Sequence, residues 1–265
     1  MLSDLVRIVY RHPDKTPIQL LIEGNLLTID CSFHYNRKAL QPLADGSGIL
    51  ADQIEDGIRK AWEGLYRLDW PGLTEAENED ETAITGNDDI RIRIVFHRDG
   101  QRRMARIGLQ RLFFMPAHVI SPLWRRLWGV CKTGQLESLG TNWSLENPGR
   151  MVLPTGLDSD QLGRIAAHEA GHLFGLGDAY GAIYRFYDGV PGKEQYMMYS
   201  NHRVHAEEIE MLLRAHLFGR MQFFPRRWNG RNFIRGLKKD LKARAAQLER
   251  QIAAWRRDRK GQRNQ

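Results

Sequence analysis

The alternation of apolar and polar positions predicts strands at the start of the chain. Leu5 to Tyr10 and Ile18 to Tyr35 are rich in Val, Ile, Leu, Phe and Tyr, and Glu23-Gly24-Asn25 breaks the second stretch with a turn. From Ile49 to Tyr66 the period changes: Ile49, Ile54, Ile58, Ala61, Trp62 and Leu65 share one face of a helix. Ile90 to Phe96 (IRIRIVF) alternates as a strand with one buried face does, and Ala105 to Phe114 is expected to pair with it across Asp99-Gly100. Met115 to Asn147, which holds Trp124, Trp128 and Trp143, reads as irregular, and Arg150 to Pro154 as a short strand. Asp158 or Ser159 caps a helix running through Ala166, Ala167 and Leu173, and Ala206 to Phe218 forms another. Beyond Asn232, the residues Leu237, Leu241, Leu248, Ile252 and Trp255 form one stripe of a basic amphipathic helix.

Composition narrows the class. A chain of 265 residues with 42% hydrophobic content suffices for one sizeable core with a small appendage. No apolar run approaches the length of a membrane span. The opening MLSDLVRIVYRHPDK lacks the apolar stretch and cleavage site of a secretory signal, so the chain is expected to be cytosolic, already trimmed, or exported by a non-classical route. Cys31 and Cys131 form no disulfide framework or paired zinc-site spacing and read as free structural thiols. The net charge of +7 resides in the tail: Phe224 to Gln265 carries 14 Lys/Arg against 3 Asp/Glu, a net of +11, leaving about −4 for the rest. The acidic stretch from Thr74 to Asp89 matches no calcium-loop spacing and reads as a solvated loop.

The chemistry lies in His168-Glu169-Ala170-Gly171-His172. Residues four apart on a helix stand one turn above each other on the same face, so two imidazoles can reach one ion. Glu169, beside the first of them, can approach a metal-bound water without binding the metal. The run continues as Leu173-Phe174-Gly175-Leu176-Gly177-Asp178. Gly175 can adopt the left-handed conformation that ends a helix, and the turned chain can bring Asp178 back as a third ligand. Three protein ligands leave a position open, as catalytic sites do and structural ones do not.

HEAGHLFGLGD resembles the metzincin signature HExxHxxGxxH/D, and Asp in the last place looks like the snapalysin type. The resemblance implies an α+β zincin with a twisted mixed sheet, two main helices, a C-terminal helical subdomain and, here, a basic helical tail. It implies a catalytic domain over residues 1–222, divided into an upper part (1–175) and a lower part (176–222), with the tail at 223–265. It implies one catalytic Zn2+ held by His168, His172 and Asp178, the metal being expected from ligand type. Glu169 is the implied general base for peptide-bond hydrolysis by a metal-activated water. Asp in place of a third His lowers the charge of the site, so its water is acidified less and Glu169 matters more. The family also has a methionine turn beneath the metal; Gln195-Tyr196-Met197-Met198-Tyr199-Ser200 supplies it, with Met198 the favoured turn residue. Met197 is the alternative, and would place Tyr199 where some members carry a zinc-proximal tyrosine that contacts oxyanion or substrate. Glu207, Glu208 or Glu210 on the next helix are rival third ligands, which the Gly175 and Asp178 spacing disfavours. His202 and His205 follow the turn and are candidates to border the cleft; His12, His34, His97, His118 and His216 are isolated.

Two function classes follow. The first is an endopeptidase acting on protein or peptide substrates. The second is a catalytically silent zinc-binding module acting through its basic tail on nucleic acid, an acidic membrane surface, or an inhibitory or delivery partner.

Overall fold

The structure is a computed structural model. It describes residues 8–43, 46, 48–68, 89–110, 117–121, 124, 142–180 and 188–225, with isolated positions at 242, 245, 246 and 249. The acidic stretch up to residue 88, Cys131 and nearly all of the basic tail lie outside the described residues.

The fold is α+β, built on a mixed seven-stranded sheet. Its strands are β1 (Ile18–Glu23), β2 (Leu26–Tyr35), β3 (Gly64–Arg67), β4 (Asp89–His97), β5 (Ala105–Gln110), β6 (His118–Ile120) and β7 (Arg150–Pro154). The helices are α1 (Leu50–Trp62), α2 (Ser159–Leu173), the single turn α3 (Met197–Ser200) and α4 (Ala206–Phe218). The sheet order is β3-β4-β2-β5-β7-β6, with β1 also on β2. β4 and β5 both run parallel to β2, and β7 runs parallel to β5; β1, β3 and β6 are antiparallel to their neighbours. No helix among the described residues is long and apolar enough to cross a membrane.

Several expected elements hold their place, among them the β1–β2 hairpin at Gly24-Asn25, β7, α2 and α4. The expected hairpin across Asp99-Gly100 does not form. β2 lies between β4 and β5, pairing with β4 over Leu26 to Ser32 and with β5 over Phe33 to Tyr35. Alternation in IRIRIVF does report a buried face, since Ile90, Ile92 and Ile94 are buried. It says nothing about which strand stands alongside. The helix expected to reach Tyr66 ends at Trp62, and Gly64–Arg67 pairs instead with β4. β6 arises within a stretch read as irregular, and Ile8 to Tyr10 carry no strand.

α1 and α2 cross in contact on one face of the sheet. A Cβ on Gly57 would stand 2.2 Å from the Gly163 Cα, so the crossing leaves no room for a side chain at position 57 and little at 163. Trp62 is fully buried there and its Nε1 donates to the Ala167 carbonyl at 2.9 Å. The same face carries Ile29, Phe33, Ile107, Leu109, Met151 and Leu153, all buried, with α2 seated on β7 and β6 and α1 on β4. Cys31 is a free, buried thiol in this layer.

A candidate metal centre at the end of α2

α2 starts where Asp158 caps it: the Asp158 carboxylate accepts from the Gln161 N–H at 2.8 Å. It ends at Phe174, and Gly175 follows with φ +98°. A side chain at 175 would also meet Ala215 Cβ at 2.7 Å and the Trp143 ring at 3.0 Å. Position 175 thus demands glycine on both backbone and steric grounds. The Trp143 indole N–H donates to the Leu173 carbonyl at 2.8 Å, satisfying one of the carbonyls the helix end leaves over.

Beyond Gly175 the chain turns back. His168, His172 and Asp178 each offer a ligand atom, and these lie within 4.8 Å of one another. Asp178 Oδ1 is 3.1 Å from His168 Nε2 and 3.2 Å from His172 Nε2. The imidazole planes stand at 85° with ring centres 5.0 Å apart. His168 Nδ1 lies 2.8 Å from the Met197 carbonyl, and His172 Nδ1 lies 2.8 Å from the Leu176 carbonyl. A carbonyl accepts only, so each Nδ1 carries the proton and each Nε2 is left with a lone pair facing Asp178. Lone pair against lone pair is repulsive unless both rings take a second proton or a cation sits among the three groups. The donor set therefore suits a metal ion, and its second contacts already fix the required tautomer.

Charge follows geometry. Burial alone would push both imidazoles down, but Asp178 outweighs it, raising His168 and bringing His172 up to about 9. Burial would raise the Asp178 carboxyl, yet the two imidazoles hold it far below the usual carboxylate range. Glu169 is 5% exposed and its Oε2 has no hydrogen-bond partner among the described residues. Burial raises its proton affinity, opposed by His172 and His168 and, more distantly, by His118 on β6. His172 and Asp178 keep 13% and 17% of their side chains exposed, so one side of the cluster is open to solvent.

Met197 and Met198 are both buried beneath this cluster. Met198 contributes its side chain, whose sulfur lies against Gly171, while Met197 contributes the carbonyl that orients His168. The turn ends at Asn201, which has φ +59°. Glu208, fully buried, accepts from the Met198 and His205 N–H groups at 2.8 Å each. The Met198 carbonyl in turn accepts from the Ala179 N–H at 2.8 Å, tying the turn to the residue after Asp178. Glu208 is thus an anchor of the turn, and Glu207 pairs with Lys193 and Tyr196, so neither joins the ligand cluster.

Tyr199 has its hydroxyl against Gly189, where a Cβ would stand 2.7 Å away, and makes no hydrogen bond to the ligand group. The aromatic ring nearer the ligands is Tyr180, 6.0 Å from the His168 ring and 40% exposed. His205 stacks on Tyr196 at 3.9 Å, and His202 is exposed. The anchoring role of Glu208 and the placement of Tyr180 were not read from the sequence. The only available signal for Glu208 was its position at N3 of α4, where a carboxylate reaches back to the N-cap backbone.

No family model matches the chain, and no curated protein or solved structure does.

Proposed function

We propose that the chain is a zinc-dependent endopeptidase of the metzincin type, in which His168, His172 and Asp178 hold one zinc ion and Glu169 is the general base. The observation that carries this reading is the convergence of both Nε2 atoms on Asp178 Oδ1, with both Nδ1 atoms committed to backbone carbonyls. Zinc, when bound, supplies Lewis acidity toward a carbonyl and toward water.

The chain's own residues do the rest. The His168 and His172 rings are locked in orientation, so little rearrangement is needed to bind the ion. Glu169 is buried with one oxygen unpartnered among the described residues, which favours taking a proton from the attacking water and returning it to the leaving amine. The α2–Gly175–Asp178 turn and the Met198 contact on Gly171 support the metzincin reading further, as does the sheet on which α2 lies. Tyr180 and Tyr199 are the aromatic residues proposed to flank substrate.

Removing metal with a chelator should abolish hydrolysis of an unstructured protein, and zinc added back at one equivalent should restore it. Hydrolysis that survives complete metal removal would refute the proposal.

A further inference from the structure

A cluster of basic side chains lies on the opposite face of the sheet from α1 and α2. The register places His34, Arg106 and Arg150 side by side on three adjacent strands: His34 pairs with Arg106, and Arg106 pairs with Arg150. Partners in register share a face, and all three residues are exposed. Two arginines directly opposite each other repel, and a neighbouring acid would offset that repulsion. Here none of the three makes an ion pair with any described residue. Asp30, the only acid on this face of β2, is already committed to Arg102 and His97.

The row borders a recess of about 500 Å³ lined by His34, Asn36, Met104, Arg106, Gly108 and Arg150. Gly108 makes room for the cations. A Cβ there would press on Arg150 Nη2 at 3.3 Å and stand 3.6 Å from Asn36 Nδ2, so the Arg150 guanidinium lies across β5 over the bare glycine. The Arg150 guanidinium is thereby placed along the β5 side of the recess, on the face that Arg106 shares.

We propose that this recess binds a phosphate-type dianion, held by the Arg106 and Arg150 guanidinium groups with His34 as a further donor. Two planar forks match tetrahedral oxyanion geometry and offset a double charge, whereas a single carboxylate would leave one arginine unanswered. The recess is larger than one phosphate, and Met104 gives it an apolar wall, which suits a phosphate ester carrying an organic group. The inference is independent of the metal centre on the other face.

The test is titration calorimetry at constant ionic strength with inorganic phosphate, adenosine monophosphate and acetate. It compares the full chain with its Arg106→Gln and Arg150→Gln variants, both exposed substitutions that leave the core untouched. Wild type is expected to bind phosphate or the nucleotide with Kd below about 1 mM, acetate at least tenfold more weakly, and each variant to lose about tenfold or more. Equal affinity for phosphate and nucleotide assigns the site to the anion alone; a clear preference for the nucleotide assigns it to an ester. Binding that is unchanged in both variants would place the anion on the basic tail and overturn the proposal. So would acetate binding as tightly as phosphate, or no binding by either phosphate probe.

Discussion

The sulfur of Met198 lies where a side chain on Gly171 would have to stand, 2.3 Å from the position of its Cβ. Gly171 is the residue immediately before His172, and Met198 is held from both sides, by Glu208 on its N–H and by Ala179 on its carbonyl. A turn from one part of the chain is therefore locked against the last turn of the ligand-bearing helix.

Gly171→Ala should be destabilising despite alanine's better helix propensity. The methyl group overlaps Met198 Sδ and touches Trp62 at 3.1 Å, and both side chains are fully buried. Overpacking of this kind costs about 1–3 kcal/mol. Denaturant unfolding measures it, and Met198→Ala in the same chain should recover part of the loss.

Asp178→Asn should weaken zinc binding by more than about 100-fold, exceeding what loss of an outer contact produces. The neutral amide retains the size of the carboxylate but offers a weaker oxygen and removes the charge that holds both imidazoles. Competition with a chromogenic chelator gives the constant. An affinity within threefold of wild type would remove Asp178 from the ligand set.

Glu208 gives the fold a pH dependence of its own. Burial raises its carboxyl from 4.5 to about 7, against the pull of the backbone N–H groups it accepts. The folded state then binds more protons than the unfolded state between those values, so the Glu208 contribution to stability is present below pH 4.5 and lost as the pH rises through 7. Unfolding free energies at pH 5 and pH 8 should show this loss in wild type, and Glu208→Gln should flatten it.

His216 acts in the opposite direction. Its ring is buried against Trp143, and burial lowers its proton affinity to about 3. Tyr10 Oη accepts from the Leu20 N–H at 2.7 Å and shares a hydrogen bond with His216 Nδ1, 3.0 Å away. The folded state binds fewer protons than the unfolded state below pH 6.5, so stability is full above that value. It falls by up to about 1.4 kcal/mol per pH unit on acidification toward 3. His216→Gln should lose stability at pH 7 but show a shallower decline between pH 6.5 and 4, as followed by thermal melting.

The candidate ligands were legible because they are local. Eleven residues from His168 to Asp178 contain a helix turn, a glycine end and a return, and local rules place all three groups. Strand order was not legible, because it depends on partners far along the chain. IRIRIVF marked its buried face correctly, but nothing in it tells that β2 stands between it and β5. The segments Gly64–Arg67 and His118–Ile120 are too short for any period to emerge; pairing makes them strands. His216 passed as an isolated histidine because its hydrogen-bond partner lies 206 positions away.

The most direct measurement is hydrolysis of a denatured general protein substrate by wild type and Glu169→Ala, with zinc content determined for both. Glu169 touches no ligand atom at hydrogen-bond distance, so the substitution should leave the metal in place. Each protein should hold one zinc per chain, wild type should cleave, and the variant should lose at least about 100-fold in rate. Equal cleavage by two zinc-loaded proteins, or a wild type that binds no zinc, would contradict the proposed function.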